Sequence, residues 1–207
     1  MLKEEKKVSK VKENKRRKEE ELFTAAYELF TTKGTNNTAI DEIVKKAGVA
    51  KGTFYLYFKD KYDIINKLIL RKSVQIIEDA MKKTEEEKIE SFENQTIFFI
   101  DYLINYFKTN KLLLKLINKN FSCGLYKRTM LGSGDESHKK VQQIMQNFMD
   151  NLQGKYNMSL NEAELTLFMI FELVGGVCYS SIVLGEPEDI DTVKPILFKK
   201  ILAMMRN

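Results

Sequence analysis

A run of cationic, hydroxyl and aromatic side chains between residues 50 and 61 suits contact with a nucleic acid. It offers an ammonium group, hydroxyl donors, a bare glycine and an aliphatic side chain, from Lys51, Gly52, Thr53, Tyr55, Leu56 and Tyr57. Hydroxyls and lysine hydrogen-bond phosphate oxygens, and apolar groups meet the thymine methyl. A glycine costs about 1 kcal/mol in a helix but permits close approach of the backbone. These residue types predict a surface that contacts double-stranded DNA.

Two short helices joined by a tight turn would present this surface. The first is predicted over residues 39–46, with Thr38 as its cap and an apolar face at 3/4 spacing. Gly48 follows where the chain must turn, and a second helix is predicted over residues 50–58. This helix-turn-helix arrangement puts the second helix in the major groove of DNA.

A longer helix must precede these two, because two short helices cannot bury a core alone. It is predicted over residues 15–33, with Gly34 as its C-terminal stop. Residues 1–14 are dominated by lysine and glutamate and are predicted to be a flexible basic arm. Two interpretations of this arm stay open: a solvated tail, or a contact with phosphates or an adjacent minor groove.

The segment GVAKGTFYLYFKDKYDII, residues 48–65, resembles the signature of the tetracycline-repressor (TetR) family of transcriptional regulators. The resemblance implies an all-α fold: a three-helix DNA-binding domain at 15–59, then a helical-bundle regulatory and dimerisation domain at 60–207. It implies base-edge contacts by Lys51, Gly52, Thr53 and Leu56, and phosphate contacts by Thr38, Tyr55, Tyr57 and Lys61. Leu56 departs from the polar or larger aromatic residue frequent in the family, which favours a thymine-methyl contact.

The charge distribution agrees with a DNA-binding N-terminal region. Residues 1–72 hold 18 Lys and Arg against 11 Asp and Glu, whereas the remainder holds 16 against 18. A basic third on a near-neutral body is typical of a nucleic-acid-binding module with a separate second function. An architectural DNA-binding protein without an effector is the alternative, but it needs no separate body of this size.

Catalysis and metal binding are not indicated. The two cysteines, Cys123 and Cys178, are far apart, and His138 is the single histidine, so no zinc-ligand spacing is present. No nucleophile–base pair or phosphate-binding glycine loop occurs, which argues against a helical-bundle enzyme. No metal or cofactor is expected. The charged N-terminus without an apolar core predicts a cytoplasmic protein.

The remainder is predicted to be helical, because no sustained alternation of apolar and polar residues appears. The candidate helices are 60–83, 90–108, 110–120, 136–153, 160–184 and 192–205, whereas 121–135 stays undecided. Asp60 is expected to cap the first of these, and Ser159 with Glu162 forms a capping-box pattern. Residues 165–184 are long enough for a membrane span, but Glu172 and several small residues favour a buried helix at a subunit interface.

The family resemblance implies a homodimer built by the last two helices. The expected interface residues are Phe168, Phe171, Gly175, Cys178, Ile182, Val193, Ile196, Leu197 and Ile201. An internal core helix of a monomer is the alternative interpretation.

A regulator of this kind also needs an effector. Aromatic, aliphatic and methionine residues with a few polar groups are typical of a small-molecule pocket between helices. The candidate polar groups are Gln95, Tyr102, Tyr106, Tyr126, His138 and Gln142. The same residues occur in ordinary helical cores, so both interpretations stay open. The expected effector is an unidentified, largely apolar small molecule.

Overall fold

The computed structural model describes the backbone of residues 2–120 and 136–206 and the side chains of residues 12–118 and 139–206. The described residues form helices and no β-strand, which confirms the all-α fold. The helices are α1 (Leu2–Lys33), α2 (Ile40–Lys46), α3 (Lys51–Tyr55), α4 (Lys61–Glu86), α5 (Phe92–Thr109), α6 (Lys111–Asn120), α7 (Glu136–Tyr156), α8 (Leu160–Cys178) and α9 (Ile190–Arg206). A π-helical turn, Tyr179–Leu184, continues α8.

Local capping residues set most helix limits where the sequence predicts them. The Asp60 carboxylate accepts a hydrogen bond from the Asp63 backbone N–H at 2.8 Å and so caps α4. Ser159 and Glu162 cap each other's backbone N–H groups at the start of α8, which confirms the capping box. Gly34 ends α1 with φ +82°, a conformation that favours glycine.

Three predictions about the N-terminal helices need correction. Helix α1 begins at Leu2 rather than Lys15, so the expected flexible arm is helical in its backbone. Ala39, not Thr38, is the N-cap of α2, and the Glu42 side chain accepts the Ala39 N–H at 3.1 Å. Helix α3 ends at Tyr55, three residues before the predicted limit.

The chain divides into two compact units, Met1–Leu70 and Arg71–Asn207. The division falls within α4 rather than at the expected limit between residues 59 and 60. The predicted domain limits remain proposals, and the undecided segment 121–135 lies outside the described residues.

The N-terminal unit packs α1, α2, α3 and the start of α4 around one apolar core. Its buried side chains are Leu22, Phe23, Ala25, Ala26, Phe30, Ile43, Val44, Phe54, Phe58, Ile64, Ile65, Leu68 and Ile69. Two ion pairs join α1 and α2 at the surface, one between Lys33 and Glu42 and one between Lys46 and Glu28. The buried aromatic residues contribute most apolar area, so they fix the position of α3.

The C-terminal unit packs α5 to α9 and the second half of α4. Helix α8 lies between α7 and α9 and also contacts α5 and α6. Within the described residues, the stretch Leu160–Leu184 is the one helix whose length and composition would allow it to cross a membrane. Only 33% of its most apolar window is buried within the chain, so much of this apolar helix faces outward.

Candidate nucleic-acid interface and ligand cavity

The turn between α2 and α3 is fixed by backbone hydrogen bonds. Gly48 has φ +67°, its N–H donates to the Lys45 carbonyl at 3.3 Å, and the Val49 N–H donates to the Val44 carbonyl at 3.0 Å. These two bonds form a Schellman motif, which satisfies carbonyls that the end of α2 would otherwise leave unpaired. Because the left-handed conformation strains residues with a Cβ, glycine sets the angle between the two helices here.

The inner face of α3 is anchored in the core by two phenylalanines. Phe54 is fully buried, and Phe58, just beyond the helix, is almost so. The ring of Phe58 packs edge-to-face on Phe23 of α1 at 5.1 Å between centroids and lies 5.4 Å from Phe54. This anchoring determines which side chains of α3 point away from the core.

The outer face of α3 presents the residues that the sequence singles out. Leu56 is 75% exposed and Tyr55 is 52% exposed, which is unusual for such large apolar groups. Lys51 and Gly52 are exposed, and Thr53 is half-buried. A Cβ added to Gly52 would meet no atom within 4 Å, so nothing in the chain requires glycine there.

Lys51 makes an ion pair with Asp41 of α2, with 2.8 Å between Nζ and Oδ1. The hydrogen bond to Asp41 raises the pKa of the Lys51 ammonium. Both side chains are more than half exposed, so solvent screens the pair and a phosphate could replace the carboxylate.

The structure corrects the prediction that Thr38 contacts a phosphate. Its side chain is 1% exposed, and its hydroxyl donates to the Gly34 carbonyl at 2.9 Å. The hydroxyl therefore ties the loop to the end of α1 and does not face a ligand. The Lys61 ammonium donates to the Thr38 carbonyl at 3.1 Å and keeps two N–H donors for a phosphate.

Tyr57 is the second correction. Its hydroxyl donates to the Lys15 carbonyl of α1 at 3.0 Å, and the Lys15 ammonium lies 6.0 Å from the ring centroid. The one O–H of Tyr57 is thus used inside the unit and is not available to a phosphate. The contact also brings the Lys15 cation beside the candidate surface, which the prediction of a flexible arm could not anticipate.

The C-terminal unit contains a cavity of about 240 Å³. Its wall is built by the second half of α4 and by α5, α6, α7 and α8. The apolar lining residues include Val74, Ile77, Met81, Phe92, Phe99, Ile100, Leu103, Phe107, Leu114, Ile117, Ile144, Met145, Phe148, Leu167, Ile170, Phe171 and Val174. The described lining carries no charged side chain, so this space suits an apolar ligand.

Of the four predicted effector residues whose side chains the structure describes, one lines this cavity. Gln95 lines it, with its amide nitrogen donating to the Ile89 carbonyl at 2.6 Å. Tyr102 and Tyr106 instead line a separate open depression of about 290 Å³ with Phe98, Asp101 and Asn105. Gln142 is half-buried on α7 and lines neither space. Tyr126 and the His138 side chain lie outside the described residues.

The predicted dimer-interface residues mostly face inward, which corrects that assignment. Cys178, Ile182, Leu197 and Ile201 are buried in the core of their own unit. Phe171 and Gly175 line the cavity. Phe168 and Val193 are half-buried. Ile196 is 62% exposed, and it alone of the predicted set is an exposed residue.

An outward apolar face lies on the opposite side of α8 and on α9. On α8, Leu165 and Met169 are about half exposed, and Gly176 continues the same stripe at helical spacing. Ile196 lies on the outer side of α9. We name Leu165, Met169, Gly176 and Ile196 the outer face. Glu172 is exposed within the same stripe.

No group of three His, Cys, Asp or Glu residues suited to a metal ion occurs in the described parts of the chain. Cys178 is a free, fully buried thiol, and its burial raises the thiol pKa to about 12. A thiol with so high a pKa is unreactive at neutral pH, because the thiolate is the nucleophile. Cys123 lies outside the described residues.

Comparison with known proteins relates the N-terminal part of the chain to a family of regulators. The model of bacterial regulatory proteins of the tetR family matches residues 22–68, which include α2, α3 and the adjoining parts of α1 and α4. This part of the chain is similar to the DNA-binding region of that family. Its similarity to the fatty acid metabolism regulator protein of Bacillus subtilis (strain 168) is 44% identity over 64 residues, 31% of this chain and 33% of that protein.

An HTH-type transcriptional regulator of Staphylococcus aureus (strain USA300) is 33% identical over 106 residues, 51% of this chain and 54% of that protein. The chain thus spans a third to about half of the length of these curated relatives. Their names describe transcriptional regulators rather than enzymes.

Solved structures share the fold of the whole chain. A proposed tetR-family regulator from Shewanella sp. PV-4 has a TM-score of 0.64 at 15% identity and covers 92% of this chain and 96% of its own. The transcriptional regulator FadR from Bacillus subtilis, solved in complex with stearoyl-CoA, has a TM-score of 0.57 at 21% identity, with 89% and 97% covered. These similarities concern the fold alone, and they include the C-terminal unit.

Proposed function

We propose that this protein is a sequence-specific DNA-binding transcriptional regulator, a dimeric repressor released from a palindromic operator by a small molecule. The observation that carries the proposal is the set of exposed side chains on α3 and at its end. Two buried phenylalanines fix the helix while Leu56 and Tyr55 stand 75% and 52% exposed beside Lys51. A monomeric globular unit gains nothing from exposing such groups together, whereas a DNA groove covers them.

Each side chain has a defined role in this proposal. Lys51, Gly52, Thr53 and Leu56 contact base edges, because they lie at the start and on the outer side of α3. Tyr55 contacts the phosphate backbone, and so does Lys61 through the two N–H donors that Thr38 does not use. The positive charge of the first 72 residues adds a sequence-independent attraction.

The effector is proposed to bind in the C-terminal cavity. The cavity is lined by five helices and has a largely apolar wall, and the stearoyl-CoA complex of the Bacillus subtilis FadR supports a ligand with a long apolar chain for this fold. An effector shifts the equilibrium between two subunit arrangements only if its affinity for them differs. Release then requires an arrangement in which the two copies of α3 no longer match successive major grooves, about 34 Å apart.

The outer face of α8 and α9 is proposed to pair two chains in the cytoplasm. Leu165, Met169 and Ile196 are each about half exposed or more, and helical spacing places Gly176 on the same stripe of α8 as Leu165 and Met169. A second copy would cover the apolar side of Leu160–Leu184 that the chain itself leaves uncovered. This pairing accounts for the apolar helix without a membrane, and it supplies the two DNA-binding units that a palindrome needs.

The test compares two substitutions on the same helix. Affinities of the wild type, Tyr55→Ala and Thr53→Ala are measured on an operator and on unrelated duplexes. Tyr55→Ala should weaken binding to all duplexes alike, since it removes a backbone contact. Thr53→Ala should change the preference among operator bases by 5- to 100-fold, as expected for a base-edge contact. Unchanged affinity in Tyr55→Ala would show that this helix face does not contact DNA.

A further inference from the structure

Ser73 of α4 is an unusual wall residue of the C-terminal cavity. Its side chain is 9% exposed, and its hydroxyl has no hydrogen-bond partner among the described residues. The two threonines of the same wall behave differently. Thr84 donates to the Ala80 carbonyl at 2.8 Å, and Thr96 donates to the Phe92 carbonyl at 2.9 Å. Each of these hydroxyls is satisfied by its own helix, whereas that of Ser73 is not.

An unpaired buried hydroxyl is disfavoured, and natural proteins retain one mainly where a ligand or water completes its hydrogen bond. The surroundings of Ser73 limit what that ligand is. Most residues of the same wall are apolar, among them Val74, Ile77 and Ile100, and the described wall contains no cation or carboxylate. A charged group brought beside Ser73 would lose its hydration without gaining a counter-ion.

We infer that the cavity binds an apolar ligand whose buried part is uncharged and carries an oxygen acceptor for the Ser73 hydroxyl. An ester carbonyl, a ketone or an ether oxygen has this chemistry. The inference rests on the proposed effector site and narrows it to a ligand class. Ser73 supplies orientation, and the apolar wall supplies most of the affinity.

Gly175 of α8 allows an independent test of the same cavity by substitution. It lines the wall, and a Cβ added there would meet no atom within 4 Å. Gly175→Leu therefore adds a side chain to the cavity wall at a position where its Cβ meets no other atom. Gly175→Ala is the matched control, because it adds the same helix-favouring Cβ but leaves most of the space open.

The experiment uses the full-length protein and the neutral dye N-phenyl-1-naphthylamine, whose fluorescence rises in apolar surroundings. Methyl dodecanoate, dodecanoate and dodecylammonium, each below its micellar concentration, compete for the dye. The inference predicts that the ester displaces the dye at a concentration at least 10-fold lower than either ion. Tighter binding of either ion than of the ester would overturn it.

The variants test the role of Ser73. Ser73→Ala should weaken the ester by about 3- to 10-fold, the usual effect of one hydrogen bond, and leave the dye affinity unchanged. If the affinities for ester and dye fall equally, Ser73 has a packing role. If neither affinity falls, its hydroxyl bonds to water rather than to the ligand. Either result overturns the inference. Gly175→Leu should weaken ester and dye by more than 10-fold, whereas Gly175→Ala should not.

DNA affinity without ligand, measured on the same samples, separates this inference from the proposed function. If the wild type binds an operator but its cavity shows no preference for the ester, the ligand class alone is refuted. Absence of operator binding in every sample would refute the proposed regulator, whatever the dye shows. Ester preference together with operator binding, and release of the operator by the ester, would support both.

Discussion

Lys51 and Asp41 join the two helices of the helix-turn-helix, with 2.8 Å between the lysine Nζ and a carboxylate oxygen. In the absence of DNA, the Asp41 carboxylate is paired with the Lys51 ammonium group, which the proposed interface would use. The pair therefore keeps Lys51 oriented but makes it compete for a phosphate or a base edge. Both side chains are largely exposed, so this competition depends on salt.

Asp41→Asn should strengthen DNA binding. The substitution removes a negative charge from the proposed interface and frees the Lys51 ammonium, while an amide of the same shape stays in place. We expect affinity for every duplex to rise several-fold at low salt, with a smaller gain at high salt. Fluorescence anisotropy across a salt series measures this change. Weaker binding in Asp41→Asn would mean that the carboxylate positions Lys51 rather than competing for it.

Gly52→Ala should separate stability from DNA binding. A Cβ at position 52 meets nothing in the chain, so the helix preference of alanine should raise the free energy of unfolding by up to about 1 kcal/mol. The same Cβ would stand between the backbone and a base edge, so DNA affinity should fall by 10-fold or more. Thermal unfolding and anisotropy on one sample measure both. A stabilised variant with unchanged DNA affinity would remove Gly52 from the interface.

Tyr57→Phe should destabilise the N-terminal unit and spare DNA affinity. The variant keeps the ring but loses the hydrogen bond to the Lys15 carbonyl, so the free energy of unfolding should fall by about 0.5–1.5 kcal/mol. Urea unfolding measures the change. Loss of DNA affinity without loss of stability would instead return Tyr57 to the phosphate contacts.

Met169→Glu should convert the proposed dimer to a monomer. The new carboxylate would lie in the middle of the outer face, where burial against a second copy costs several kcal/mol. Sedimentation equilibrium measures the mass. Leu112→Glu is the matched control, because Leu112 is similarly exposed, at 50%, but belongs to α6 and not to the outer face. A Met169→Glu dimer as stable as the control would exclude this face.

Glu93 should give the C-terminal unit an acid-sensitive contribution to stability. The nearby Tyr156 side chain, the Glu93 backbone N–H and the Ser91 hydroxyl lower the pKa of the Glu93 carboxyl to about 2, from its ordinary value of 4.5. Among these groups, the Ser91 hydroxyl donates a hydrogen bond to the carboxylate at 3.0 Å. Because the folded-state pKa is lowered, the contribution is fully present above about pH 4.5 and is lost as the pH falls toward 2.

Glu93→Gln should therefore be less stable than the wild type at pH 7, and its stability should change less between pH 5 and 3. Urea unfolding at each pH measures both effects. Glu90→Gln serves as the control, since Glu90 is exposed just before α5. Parallel pH curves for the wild type and Glu93→Gln would contradict the assignment of this carboxylate.

The sequence predicts elements governed by local chemistry. Asp60, Ser159 and Gly48 act on their own backbone neighbourhood, so their types alone locate the starts of α4 and α8 and the turn before α3. The exposed side of α3 was predictable for the same reason. Once Phe54 and Phe58 are assigned to the core, helical geometry determines which neighbours point outward.

The sequence could not predict features that depend on tertiary packing. Helix α8 is apolar all round, so its periodicity groups Phe171, Gly175 and Cys178 on one face but does not say whether that face meets the core or a second chain. The burial of Thr38 depends on its bond to a carbonyl four residues earlier. Ser73 gave no signal, because a serine on a helix is ordinary until its surroundings are known.

The most direct measurement is a selection of duplexes from a random library by the purified protein, followed by a salt titration of the enriched sequence. The account predicts an inverted repeat whose half-sites lie about one helical turn, or 34 Å, apart, and an affinity that falls steeply with salt. Thr53→Ala should enrich a different base within each half-site. Failure to enrich any sequence, with equal weak binding to all duplexes, would contradict sequence-specific recognition by α3.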